Sequence, residues 1–310
     1  MNQKKGILIL AFILFAGILG LPADSPAGAP GYTVSNTLGL VGSTLPEAKL
    51  TLSRSYVFPF LQGAGPLTRD NNLSLTGQAE VSPVSLNGII KAVWTPIAFL
   101  QFTAGGRIGS GWTVSLLGTE LFGIGINDST TGEAPGKAFD GFVWSALAGG
   151  TFQFDLAALF PGDWNHVLVR AYQEINYFAY SKAQAGDSWY FEASPGENRN
   201  GLNFYGSYVL GYSMPIFLNT AALMAEVETF LYDTAGGELW GDDLGRWVFS
   251  LVLNFTITQN LSLAVIPQLR TVRSFTAATE DAPFYQDRRL DSPARELEFF
   301  RVAFNASWRF

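Results

Sequence analysis

ELEFFRVAFNASWRF, residues 296–310, is the stretch on which the fold turns. Counting back from its end, Phe310, Trp308, Ala306, Phe304, Val302 and Phe300 share one face. Arg309, Ser307, Asn305, Ala303 and Arg301 take the other. Period-two alternation is the signature of a β-strand. A soluble sheet seldom opposes two arginines to a row that is half Phe and Trp. A strand with lipid on one side and a wet lumen on the other does so routinely. The expectation is an all-β chain: a transmembrane antiparallel up-and-down β-barrel, closed by this strand.

Composition agrees. The chain is 48% hydrophobic and 14% aromatic but only 15% charged. Past the N-terminus no run of 18 apolar residues occurs, so the sequence offers no transmembrane helix. Apolar residues dealt out at every second position suit a barrel wall instead. Cysteine is absent, which excludes disulfides, thiolate chemistry and thiolate metal sites together.

Residues 1–23 read as a signal peptide. Lys4 and Lys5 precede the apolar core GILILAFILFAGILGL, and small residues then offer cleavage after Ala23 or Ala27. Losing those two lysines leaves 26 acids against 17 bases, a net charge of −9. Such an acidic product argues against binding nucleic acid. Residues 30–310 then form a single barrel domain.

Twelve strands are expected, at 32–42, 49–60, 73–82, 86–95, 98–109, 142–156, 166–181, 202–214, 221–232, 246–258, 261–274 and 296–310. The links at 61–72, 95–97, 157–165, 215–220 and 259–260 are mostly tight and fall on one side. Those at 110–141, 182–201, 233–245 and 275–295 are long and all fall on the other, which also carries two short links at 43–48 and 83–85. Short periplasmic turns and long outer loops are the barrel pattern. Reading Asn87-Gly88 as a hairpin turn would reduce the count to ten. Arg54 falls on the lipid row, which predicts a bulge or shifted register there, since a mid-membrane arginine costs about 2–4 kcal/mol. A soluble β-sandwich also alternates, but it hides its apolar face and lacks this density of aromatics on one side.

With these residues in view a resemblance can be stated. The closing strand with Phe310 resembles the assembly signal of bacterial outer-membrane β-barrels. That resemblance implies the cell outer membrane as location, outer-membrane lipids as surroundings and the barrel assembly machinery as partner. WTPIAFL (94–100), followed by GSGW (109–112), is similar to a group of spirochaete outer-membrane barrels. It assigns no activity to any residue.

Two enzyme types recur on such barrels, outer-membrane phospholipases and omptin-like proteases, and both need a histidine. This chain has one, His166, with no serine close after it and a predicted place at the periplasmic end. No catalytic residue, cofactor site or metal site is expected. Asp233, Glu238, Asp242 and Asp243 share one outer loop with four glycines, but their spacing matches no EF-hand. Trp189, Tyr190, Phe191, Phe284 and Tyr285 are loop aromatics that suit contact with sugars or lipid and equally an interfacial aromatic belt with no such role.

Alternation places Glu80, Lys91, Arg107, Asp155, Arg170, Glu174, Glu226, Glu228, Arg270, Arg301 and Arg309 inward. Both signs occur, which fits a polar passage whose lining sets selectivity and equally a lumen filled by salt bridges. A small porin-like diffusion channel or solute carrier without chemistry is the first function class. A surface barrel whose outer loops bind a host or envelope partner is the second. The longest link sharpens the question. Its front half, WTVSLLGTELFGIGI (112–126), is too apolar to stand in water. It is expected to extend two strands or, preferably, to fold across the mouth and constrict it.

Overall fold

The computed structural model describes residues 31–116, 119–126, 138–185, 187–192, 198–231, 244–277, 279–280 and 290–310. In chain order the strands are β1 (Thr33–Ser43), β2 (Ala48–Pro59), β3 (Asn72–Val81), β4 (Ser85–Ile97) and β5 (Leu100–Gly111). Three short strands follow, β6 (Val114–Leu116), β7 (Thr119–Leu121) and β8 (Ile124–Ile126), and then β9 (Val143–Asp155) and β10 (His166–Tyr180). The rest are β11 (Trp189–Phe191), β12 (Gly201–Ser213), β13 (Leu218–Phe230), β14 (Arg246–Thr256), β15 (Leu261–Phe275) and β16 (Leu290–Arg309).

Twelve of these close a barrel in the order β1-β16-β15-β14-β13-β12-β10-β9-β5-β4-β3-β2. Every neighbouring pair is antiparallel, and β1 and β16 make the seam from Thr37↔Arg309 to Ser43↔Ala303. Closure leaves no open edge, the condition for a sheet to cross a bilayer. The shortest wall strand has 10 residues and the longest 20, enough to span a hydrocarbon core when tilted.

The outer row of the wall strands is mostly apolar and exposed. Ile90 is 62% exposed and Leu223 63%, whereas Thr151 and Ser250 on the opposite face are buried. A belt of bare Leu, Ile and Phe is not tolerated in water. Aromatics gather at the end with the short turns: Trp94 packs on Phe102 at 5.8 Å, Phe217 on Phe255 at 5.4 Å and Trp308 on Phe310 at 5.0 Å. An apolar band with an interfacial aromatic girdle makes this an outer-membrane-type β-barrel.

Several local expectations are corrected. Asn87 and Gly88 sit inside β4, opposite Glu80 and Ala79, so the strand count does not fall to ten. The reversal before β4 lies at the expected short link 83–85, closed by Ser82, whose N–H donates to the Ser85 carbonyl at 3.0 Å. The turn expected at 95–97 lies at 98–99, after an irregularity between Trp94 and Ile97. No bulge occurs at Arg54: β2 pairs without a shift with both β1 and β3. Arg54 therefore keeps the parity of the bare Leu50, and its guanidinium lies 5.4 Å from the Tyr56 ring centroid. The last strand starts at Leu290 and pairs as far as Phe275, so residues 290–295 of the loop expected at 275–295 are wall.

Candidate functional site

The mouth is where the two longest links meet. β6 and β7 form a small two-stranded sheet, and β8 pairs with β11, which belongs to the link between β10 and β12. The front half of that link, 112–126, thus makes ribbons of its own and does not extend β5. Its apolar residues find partners there. Ile124, Val143, Tyr180, Trp189 and Phe191 form one buried cluster, in which Trp189 and Val143 are fully covered. Trp189 and Phe191 are therefore core residues, not loop aromatics offered to sugars or lipid. Burying each such side chain contributes about 1.5–3 kcal/mol, so several kcal/mol hold the segment.

Gly123 lets it lie close. A Cβ at that position would stand 2.1 Å from the Val84 carbonyl oxygen and 2.4 Å from that of Trp112. Only glycine permits such an approach of backbone to backbone.

Glu192, just after β11, ties the segment to the far wall. Its backbone N–H donates to the Gly123 carbonyl at 2.9 Å, and its backbone is left-handed at φ 56°. Lys49 Nζ donates to one carboxylate oxygen at 2.9 Å. Ser85 Oγ and Asn87 Nδ2 donate to the other at 2.9 and 2.8 Å. Lys49 belongs to β2 and Asn87 to β4, on the opposite side of β9 and β5 from β10. A residue of the β10–β12 link that reaches them has crossed part of the opening. Burial works to raise the Glu192 pKa, but the Lys49 ammonium, the Arg107 guanidinium and the Ser85 hydroxyl outweigh it. The carboxyl is held below its ordinary value and stays charged at neutral pH.

Below Glu192 the ion network continues into the wall. Glu80 accepts from Gln78 at 2.7 Å, Lys49 at 3.4 Å and Arg107 at 3.5 Å. On the other side Arg301 pairs with Glu47 and donates to Gln268 at 2.7 Å. Arg270 donates to Glu298 at 2.8 Å, and Arg246 pairs with Glu228 at 3.0 Å. Along β10, β12 and β13 the carboxylates meet phenols: Tyr172 donates to Glu174, which also accepts from Asn176 at 3.0 Å, and Tyr205 donates to Glu226. Arg170 lies over the Tyr172 ring at 5.6 Å. Lys91, opposite Thr76 and Gly105, and Arg170 are both exposed, and neither forms an ion pair among the described residues. Asp155 sits apart, 2.6 Å from His166 Nδ1 and accepting from the Ala157 N–H at 3.0 Å. It caps a turn at the end with the short links. Arg309 and Phe310 belong to the closing seam, where the Phe310 N–H donates to the Asn36 carbonyl at 3.0 Å.

One expected orientation is wrong. Strict alternation puts Phe300 on the lipid row, but β16 holds one residue more than β15 between Gln268↔Arg301 and Leu269↔Phe299. This bulge reverses the alternation beyond it. Phe299 and Leu297 become the bare outer residues, Glu298 turns to Arg270, and the Phe300 ring enters the barrel. Sequence reasoning also passed over Glu47, Lys49, Glu192, Arg246 and Glu298. Lys49 and Arg246 stood at expected strand starts and were legible as inward by parity. Glu192 carried no signal, because its partners lie more than 100 residues away. Asp233, Glu238, Asp242, Asp243, Phe284, Tyr285 and the signal peptide at 1–23 lie outside the described residues.

Two cavities adjoin this network. The first, about 590 Å³, lies between the mouth segment and the rim, lined by Leu121, Phe122, Tyr190, Glu192, Lys49 and Arg301 among others. The second, about 460 Å³, lies along β12–β16 beside Tyr205, Glu226, Arg246 and Arg270.

No protein-family model matches the sequence, and a search of curated proteins finds no match. Among solved structures, the KdgM porin in complex with disordered oligogalacturonate is similar at 9% identity and a TM-score of 0.38, over 89% of this chain and 98% of that one. The NanC porin is similar at 7% identity and a TM-score of 0.39, over 89% and 99%. Outer-membrane expressed OmpT of Vibrio cholerae is similar at 8% identity and a TM-score of 0.38, over 92% and 99%. No solute and no residue role passes to this chain from them.

Proposed function

We propose that this barrel is a small-solute diffusion channel of the outer membrane, acting without chemistry, whose outer mouth is narrowed by the latched segment. One observation carries the reading: Lys91 and Arg170 stand on the inner face, exposed and without an ion-pair partner among the described residues. A filled lumen buries its charges in pairs, because an unpaired buried charge is costly. Exposed cations on an inner wall mean water beside them. The remaining lining charges, Glu80, Arg107, Glu174, Glu226, Glu228, Arg270 and Arg301, set the field that a permeating ion meets. Asp155 contributes at the periplasmic end. His166 is engaged by Asp155, which also caps the adjoining turn, and the channel reading asks no chemistry of the pair.

The test is single-channel recording on the purified barrel in planar bilayers. Wild type should conduct, and reversing both charges in Lys91→Glu with Arg170→Glu should move the reversal potential toward cation preference. A folded wild-type barrel that never conducts would overturn the channel reading and leave the surface-structural class.

A further inference from the structure

The bulge in β16 puts Phe300 in a position that alternation alone would forbid. Its ring is flanked by two guanidiniums, with Cζ of Arg270 4.3 Å and Cζ of Arg301 4.4 Å from the ring centroid. Both cations are themselves tethered, Arg270 by Glu298 and Arg301 by Gln268 and Glu47. Cation–π contact with fixed partners holds an aromatic ring in one place. Among the described residues Phe300 is also the one side chain that lines both the 590 Å³ mouth cavity and the 460 Å³ cavity along β12–β16. An apolar ring has no lipid to meet on that side of the wall. Leu297 and Phe299 already cover the outer surface at this level, so the bulge is not needed to place an aromatic in the membrane.

We infer that Phe300 is the specificity-determining partition of the passage, a clamped ring standing between an outer vestibule and an inner chamber. The inference rests on the channel reading and adds the residue that sets the size limit. A solute entering past Phe122 and Tyr190 meets the Phe300 ring with the two guanidiniums against it. Passage requires it to slip by a plate that its clamps keep from rotating aside. Small or thin solutes pass, and branched or bulky neutral solutes are held in the vestibule. Two cations at the same level favour solutes carrying a carboxylate, with Glu47 and Glu298 moderating that preference.

The experiment compares wild type with Phe300→Ala, Phe300→Leu and Phe300→Trp. It uses planar-bilayer conductance and liposome swelling with neutral sugars of increasing size, after heat-modifiability has shown each barrel to be folded. Phe300→Ala should raise unitary conductance about twofold, as expected when a constriction widens, and admit sugars that wild type excludes. Phe300→Trp should lower both. Phe300→Leu keeps a bulky apolar side chain at the bulge and serves should the alanine variant fail to fold; it should fall between wild type and alanine. If wild type conducts and the folded variants share its conductance and size limit, Phe300 is no partition and the inference falls alone. If neither wild type nor any variant conducts, the channel reading falls and takes the partition with it.

Discussion

Replacing Glu192 with glutamine isolates the charge by which the mouth segment is latched. The amide oxygen can still accept from Ser85 and Asn87, but it no longer attracts Lys49 at 2.9 Å. A hydrogen bond to a charged group contributes about 1.5–3 kcal/mol when dry. The Lys49 side chain is 25% exposed, and solvent screening reduces the figure to about 1 kcal/mol. That alters the ratio of latched to unlatched forms about fivefold. Against it stand Ile124, Trp189 and Phe191, each contributing about 1.5–3 kcal/mol through burial. Glu192→Gln should therefore loosen the segment without releasing it. In single-channel records, brief excursions to a larger conductance should become about fivefold more frequent, while their amplitude stays that of wild type. Acid supplies the second arm. The carboxyl lies in a link outside the membrane-spanning strands, and its pKa is depressed in the latched form. The latch is then fully present at neutral pH and is lost as pH falls through that depressed value, beneath the ordinary carboxylate range. Wild type should gain excursions in that window and Glu192→Gln should not. Glu80 shares Lys49 and Arg107 with Glu192, so only an acid step missing from the variant belongs to Glu192. Excursion frequency and acid response equal to wild type in Glu192→Gln would refute the latch.

Gly123→Ala forces a methyl group against the Val84 and Trp112 backbone. Overpacking of this kind costs about 1–3 kcal/mol, so bilayer recordings should show a larger time-averaged conductance with an unchanged folded yield on gels. Phe310→Ala keeps the backbone pair to Asn36 but removes the ring packed on Trp308. Aromatic pairs of this kind are worth about 0.5–1.5 kcal/mol beyond their area. The heat-modifiable fraction in outer-membrane extracts should fall, and an unchanged fraction would count against a role for this ring in closure. An epitope inserted within 281–289 should be detected on intact cells. One at Gln259-Asn260, in the short turn before β15, should be detected only once the envelope is opened, and the reverse pattern would invert the barrel.

Alternation within 296–310, repeated along twelve segments, was enough to determine a closed barrel with its long links on one side. The reason is local: in a strand each side chain's face follows from its neighbour's, and lipid on one side enforces the code. The same code is what assigns charges such as Glu80, Arg107, Glu228 and Arg270 to the inner face. What escaped was every feature set by a partner far away in sequence. The bulge that turns Phe300 inward exists because β15 supplies one residue fewer opposite it, which no pattern within β16 records. The Asn87-Gly88 pair has the chemistry of a hairpin turn but lies within β4, where ladders on both sides outweigh local propensity. Arg54 kept its register against the cost of its place, since a slip would have turned every side chain of β2 to the wrong face. The sequence showed that 112–126 must find cover; only the tertiary structure decided that β11 provides it. Only there, too, does Glu192 meet Lys49, Ser85 and Asn87, because a link as long as this one is placed by what its apolar residues can bury, and that lies across the mouth.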